Sequence, residues 1–147
     1  MDIKPKIREV LEKGHLMSLG TIDDGGVWVS DVIYVYDDDF NIYWMSDPDV
    51  RHSKAILKNS QAAGSITISN KSKESNLGIQ FAGKVEQLEG VQFNLSTKHF
   101  SKRGHPMPSM SEVVNFLSED RWYKLTPARI DLIDEEHFGF DKKSIDL

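Results

Sequence analysis

Residues 27–46 read VWVSDVIYVYDDDFNIYWMS, and this stretch decides the fold. Val, Ile, Tyr and Trp fill it except for Asp37-Asp38-Asp39, so it predicts two antiparallel strands, Val27 to Tyr36 and Phe40 to Ser46, joined by a polar turn. Upstream, His15 to Ile22 is a further β-rich run. Asp23-Asp24-Gly25-Gly26 separates it from Val27, and these residues tolerate the positive φ of a tight hairpin. The three strands form a meander. On the second, Val27, Val29, Ile33 and Val35 fall on one face and Trp28, Val32, Tyr34 and Tyr36 on the other. Both faces are apolar, so both should be covered, and the expected cover for Trp28, Val32, Tyr34 and Tyr36 is a second copy of the chain in a homodimer.

Outward from this meander, Lys4 to Lys13 has Ile7, Val10 and Leu11 at helical spacing, with Gly14 as its stop. Asp47-Pro48-Asp49 opens a second helix, Arg51 to Lys58. Ala62 to Ser69 and Leu77 to Leu88 return to strand; in the latter Ile79, Phe81 and Val85 alternate with Gln80, Lys84 and Glu86. Gly90 to Arg103 reads as helix. Ser109 and Glu112 form a capping box ahead of Val113, Val114, Phe116 and Leu117. A closing strand pair lies near Trp122 to Leu125 and Arg129 to Ile133. The helix inserted between the third and fourth strands suits an α+β, mainly β fold: a six-stranded antiparallel Greek-key barrel with peripheral helices, in one domain over residues 1–147.

With 39% hydrophobic and 28% charged residues, the composition is that of a folded soluble domain, and no apolar run approaches the ~20 residues that span a bilayer. Met1 to Glu9 lacks the pattern of a secretory signal, so a cytoplasmic location without membrane partners is expected. The chain has no cysteine, which excludes disulfides, thiolate metal sites and cysteine nucleophiles. A net charge of −5 argues against nucleic acid and confines any anion site to a local basic patch. His15, His52, His99, His105 and His137 show no ligand spacing with carboxylates, so no metal site is expected.

The order of these elements, with Ile42-Tyr43-Trp44, Arg51-His52-Ser53-Lys54-Ala55, Ile79-Gln80-Phe81-Ala82-Gly83-Lys84-Val85, Leu88-Glu89-Gly90 and Trp122-Tyr123-Lys124-Leu125-Thr126-Pro127, resembles the pyridoxamine 5′-phosphate oxidase-like, FMN-binding split-barrel superfamily. The resemblance runs over residues 7–143 and is closest to a small branch with a Gly-Phe-x-Lys-Lys tail, here Gly139 to Lys143. It implies a homodimer with flavin sites at the subunit interface and redox chemistry at the flavin ring. Haem and a deazaflavin coenzyme are the alternative cofactors. Val29 and Tyr34 stand where the oxidase proper carries a basic pair for the flavin phosphate, and Gly78 stands at its flavin-contacting glutamine. The oxidase's basic C-terminal motif is absent, so oxidation of pyridoxamine phosphate itself is not expected.

Arg51, Lys54 and Lys58 share one helix stripe at a helix start, where free N–H groups and the dipole favour a phosphate; a solvated basic face is the plain alternative. His52 either donates to the same phosphate or packs with Ala55 and Ile56. The resemblance lays Ser30, Trp44, Met45 and Ser46 along the flavin, while simple barrel packing accounts equally for Trp44. Gln80, on the polar face of its strand, carries an amide able to meet a flavin edge or merely water.

Overall fold

The computed structural model describes the chain throughout, apart from the side chains of residues 116–118. The expected apolar contribution of Phe116 and Leu117 therefore lies outside the described residues. The order is α1 (Lys4–Lys13), β1 (Leu16–Asp23), β2 (Gly26–Ile33), β3 (Val35–Tyr36), β4 (Ile42–Ser46), α2 (Arg51–Lys58), β5 (Gln61–Thr67), β6 (Leu77–Gln87), α3 (Phe93–Lys102), α4 (Met110–Glu119), β7 (Arg121–Asp134), α5 (Glu135–Phe138) and β8 (Lys143–Asp146). No helix among the described residues is long and apolar enough to cross a membrane.

The strands form one antiparallel sheet in the order β2-β1-β5-β6-β7-β4-β3, with β8 paired to β7. Its two ends, β2 and β3, are consecutive in the chain and separated by Tyr34 alone, so the sheet curls back on itself as a split barrel. The mainly β antiparallel architecture matches the expectation, but there are eight strands and not six. Tyr34 divides the second strand, the closing pair read from the sequence is one continuous β7, and the C-terminal β8, which carries little periodic signal, is added.

The hydrophobic alternation of the strands places Met17, Leu19, Ile66, Ile79, Phe81, Leu125, Ile130 and Leu132 inside, where α1 closes one end with Ile7, Val10 and Leu11. Ser109 caps α4 as expected, accepting from the Glu112 N–H at 3.3 Å. Gly14 ends α1 with an ordinary extended φ of −69°. What it provides is space, since a Cβ there would lie 2.3 Å from the Tyr34 hydroxyl. Gly83 is held more tightly still: it sits at the β-bulge between β6 and β7, where a Cβ would fall 2.0 Å from the Thr126 carbonyl oxygen.

One expectation about the second strand is overturned. Val32 and Tyr34 are buried in the chain's own core, and Trp28, still 44% exposed, lies beneath an arginine, so most of this face is covered from within the chain. The face left in water is the other one, with Val27 74% and Val29 61% exposed. In the strand register Val29, Gly20, Ala63, Ala82 and Arg129 form one row across the outer surface. With no bulk at Gly20, Ala63 and Ala82, the row floors a shallow trough of about 500 Å³ bordered by Ile22, Val27 and Lys84.

Two outcomes follow. Gly83→Ala should lower stability by about 1–3 kcal/mol, because the clashing atoms are backbone. Gly20→Ala, whose Cβ meets nothing closer than 3.5 Å, should be nearly silent in the same denaturant titration. The second outcome concerns pH. His99 on α3 is 5% exposed, and burial, then the charges of Arg103 and Lys102, draw its imidazole down to about 4. Its folded value lies below its unfolded one, so its contribution is present above the ordinary histidine value and is lost as pH falls from 6.5 towards 4. Stability of the wild type should drop by about 2–3 kcal/mol more than that of His99→Leu over this range.

Candidate functional site

Strand alternation sorts the expected site residues before any contact is considered. On β4, Trp44 and Ser46 point into the barrel and Met45 points away, opposite Trp122 in the register. Ser30 shares its face of β2 with Trp28 and Val32. The β4 end and the α2 start thus meet at the mouth of the barrel. There Ser46 Oγ lies 3.0 Å from His52 Nε2. Burial holds the His52 imidazole below its ordinary value, favouring the neutral ring near pH 7.

The start of α2 has no acceptor of its own. Val50 stands at the N-cap, which supplies no side-chain acceptor, and the first turn contains no acid. Its leading N–H groups are therefore left for a ligand or water. The Ser53 hydroxyl, one turn in, is fully buried and unpartnered; it faces the Tyr123 phenol without meeting it in a hydrogen bond. Tyr123 stacks on Trp44 at 5.9 Å, and both its hydroxyl and the Trp44 Nε1 lack partners too. Ser53, Trp44 and Tyr123 thus bring three buried polar groups from α2, β4 and β7 to this end.

Arg51 is engaged in a way that its sequence position alone does not reveal. Its Nε and Nη2 donate to Asp23 at 2.9 and 3.0 Å, and its guanidinium lies 4.3 Å from the Trp28 ring centroid. The hydrogen bond to Asp23 raises the arginine's value and lowers the carboxylate's. A guanidinium has five N–H donors, so Nη1 remains available to an anion at the helix start. Lys54 and Lys58 are exposed, the latter 3.9 Å from Asp24.

Besides Met45, two expected residues do not join this cluster. Trp44 is fully buried, so its side chain is core packing and forms no wall against a cofactor. Gln80 lies on the outer face of the sheet, its Oε1 accepting from Lys142 Nζ at 2.9 Å. Beside it Arg129 donates to Asp131 at 2.7 Å and to Ser144 at 2.9 Å. Within one chain, therefore, Ser30, Ser46, Arg51, His52 and the α2 start are brought together, whereas Gln80 is separated from them by the thickness of the sheet. Ser53, inside the Arg51–Ala55 motif, belongs to the cluster too. Asp23 and Trp28 belong to it without any sequence motif, and only the hairpin register, which swings residue 23 over α2, could have exposed them.

These residues fit a phosphate-bearing cofactor at the α2 start, given free N–H groups, an arginine with donors to spare and no competing acid in the helix. The sequence signature of the family described as pyridoxamine 5′-phosphate oxidase matches residues 3–133. The UPF0306 protein YhbP of Escherichia coli O157:H7 (strain EC4115 / EHEC) is 27% identical over 148 residues, covering 99% of this chain and 93% of that protein. Among solved structures, the conserved hypothetical protein Rv2991 from Mycobacterium tuberculosis superposes with a TM-score of 0.82 at 13% identity, over 99% of this chain and 92% of that one. HutZ, the heme storage protein from Vibrio cholerae, does so with a TM-score of 0.67 at 16% identity, over 86% and 91% of the two chains. The eight-stranded split barrel and the match across most of the sequence lead to one conclusion: this chain belongs to the pyridoxamine 5′-phosphate oxidase family.

Proposed function

We propose that two copies of this chain form a cytoplasmic, FMN-dependent oxidoreductase whose flavin lies between the α2 start of one copy and the outer sheet face of the other. The observation that carries this reading is the uncapped α2 start beside the Ser46–His52 pair, with Gln80 and the small-residue trough on the opposite face of the same sheet. One chain cannot bring both halves to one ligand. A second copy can, and it would at the same time cover Val27 and Val29, whose exposure is otherwise unfavourable.

In this arrangement the α2 N–H groups and Arg51 Nη1 hold the phosphate, Ser46 fixes the His52 ring, and neutral His52 offers an N–H without adding charge. Gly20, Ala63 and Ala82 leave room for a planar ring, and the Gln80 amide supplies one donor and one acceptor to its edge. Bound flavin would supply the electron transfer, while the protein supplies orientation and exclusion of water. No acid or base of the cluster is positioned like an indispensable catalytic group, so substrate oxidation would rest on the cofactor.

A second reading, a haem-binding module without catalysis, draws on the likeness to HutZ and on His137. Its Nδ1 lies 2.9 Å from a carboxylate oxygen of buried Asp134, which orients the half-exposed ring, and its other nitrogen would hold the haem iron. Absorbance of the purified protein separates the two: flavin bands support the first reading, a Soret band the second. A deazaflavin would be recognised by its own spectrum. Steady oxidation of a reduced nicotinamide by the FMN-loaded protein separates enzyme from carrier.

Arg51→Ala should weaken FMN roughly ten- to a hundredfold and riboflavin hardly at all, since only FMN carries the phosphate. Asp23→Asn, which releases the guanidinium, should strengthen FMN or leave it unchanged. Equal losses of both ligands in Arg51→Ala would reduce the Asp23–Arg51 pair to a clasp on the hairpin. For the assembly, sedimentation at low micromolar concentration should show a dimer for the wild type and a monomer for Val29→Asp. A wild-type monomer that binds FMN at full strength would refute the shared site.

A further inference from the structure

Away from the α2 cluster, a second cavity of about 580 Å³ opens between α1, β3 and α3. Its two walls carry opposite charge. On α3, Lys98 Nζ donates to the Tyr36 carbonyl at 3.3 Å and Lys102 Nζ to the Tyr34 carbonyl at 2.7 Å. These bonds fix both ammonium groups at the cavity wall, one helical turn apart, and leave each with two further donors. Facing them are Glu12 on α1 and Asp38 in the turn after β3. Glu12 accepts the Tyr36 hydroxyl on Oε2, which leaves its Oε1 open. Buried Leu11, Val35 and Tyr34 back the space between the walls.

The Lys102 ammonium lies 3.4 Å from the Tyr34 ring centroid. Burial draws its value down to about 8, with Glu12 acting in the other direction. Its charge is therefore short of solvation, a lack that an incoming anion would relieve. Carbonyl caps alone would need neither the cavity nor the acidic wall. Two cations facing two acids across a space of ligand size describe a dipolar guest.

The geometry points to a binding site for a small zwitterion of the α-amino acid class. Its carboxylate would lie on Lys98 and Lys102 and its ammonium on Glu12 and Asp38. This site is separate from the α2 cluster and does not depend on the flavin reading.

The test is calorimetric titration of the full chain with L-phenylalanine, N-acetyl-L-phenylalanine and L-phenylalanine amide, with and without FMN. L-phenylalanine should bind saturably at one site per chain, and each blocked analogue about tenfold or more weakly. FMN should leave these affinities unchanged. Lys98→Gln and Glu12→Gln alter exposed side chains, so both should keep the wild-type melting temperature while each weakens L-phenylalanine about tenfold. No saturable binding up to about 10 mM would overturn the proposal. Equal binding of all three ligands would also overturn it, by showing apolar adsorption, and so would folded variants with wild-type affinity.

Discussion

The barrel depends on how Tyr34 is held. It is the single residue between β2 and β3, the two edges of the curled sheet, and it is fully buried. Its hydroxyl donates to the Leu11 carbonyl at 2.7 Å, tying the seam to α1. Its own carbonyl accepts from Lys102, tying the seam to α3, and the same ammonium rests on its ring. A strand that switches partners leaves a backbone carbonyl outside the ladder, and burying it unpaired would be unfavourable. Lys102 removes that penalty, while burial of the ring contributes about 2–3 kcal/mol. The absence of a side chain at Gly14 is part of the same fit.

The curl decides what the surface can do. Because the sheet returns on itself, the β4 end and the start of α2 share the mouth of the barrel with Trp28 and Ser30, and the basic residues of α2 are grouped there. The outer surface of the same sheet carries small residues in the middle and polar ones beside them. A cofactor large enough to have an anionic end and a planar end can use both surfaces only if they come from different copies. The dimerisation proposed above would in this sense follow from placing two half-sites on opposite sides of one sheet. The second cavity arises from the seam as well, since the lysines that cap its carbonyls are the lysines that line it.

Much of this was legible in the residues. Period-two alternation placed Ile79, Phe81 and Val85 inside and Gln80, Lys84 and Glu86 outside, because burial on one face is what imposes that pattern. The start of α4 followed from the Ser109 capping box and that of α2 from the Asp47-Pro48-Asp49 break. Where partners are chosen across the sheet, the reading ran out. Tyr34 looks like any strand residue, yet tertiary pairing divides the strand there. Trp44 could have lined a cofactor or the core, and only its stacking on Tyr123 assigns it to the core. Asp23 reads as a turn residue. That it takes two of the donors of Arg51 follows from a register that no short-range signal encodes. The outward face of β2 was assigned the wrong way round for the same reason: alternation tells which residues share a side, not which side is inside.

The central claim, that each site is made of half of one copy and half of another, is tested most directly by subunit complementation. His52→Asp spoils the α2 half and Gln80→Asp the outer-face half, and each protein alone should lose FMN binding. Co-expressed in equal amounts, they should assemble at random, and heterodimers should carry one intact site each, restoring about a quarter of wild-type binding capacity. A co-expressed pair that binds no more FMN than either parent, or a Gln80→Asp protein that binds it like the wild type, would contradict the account.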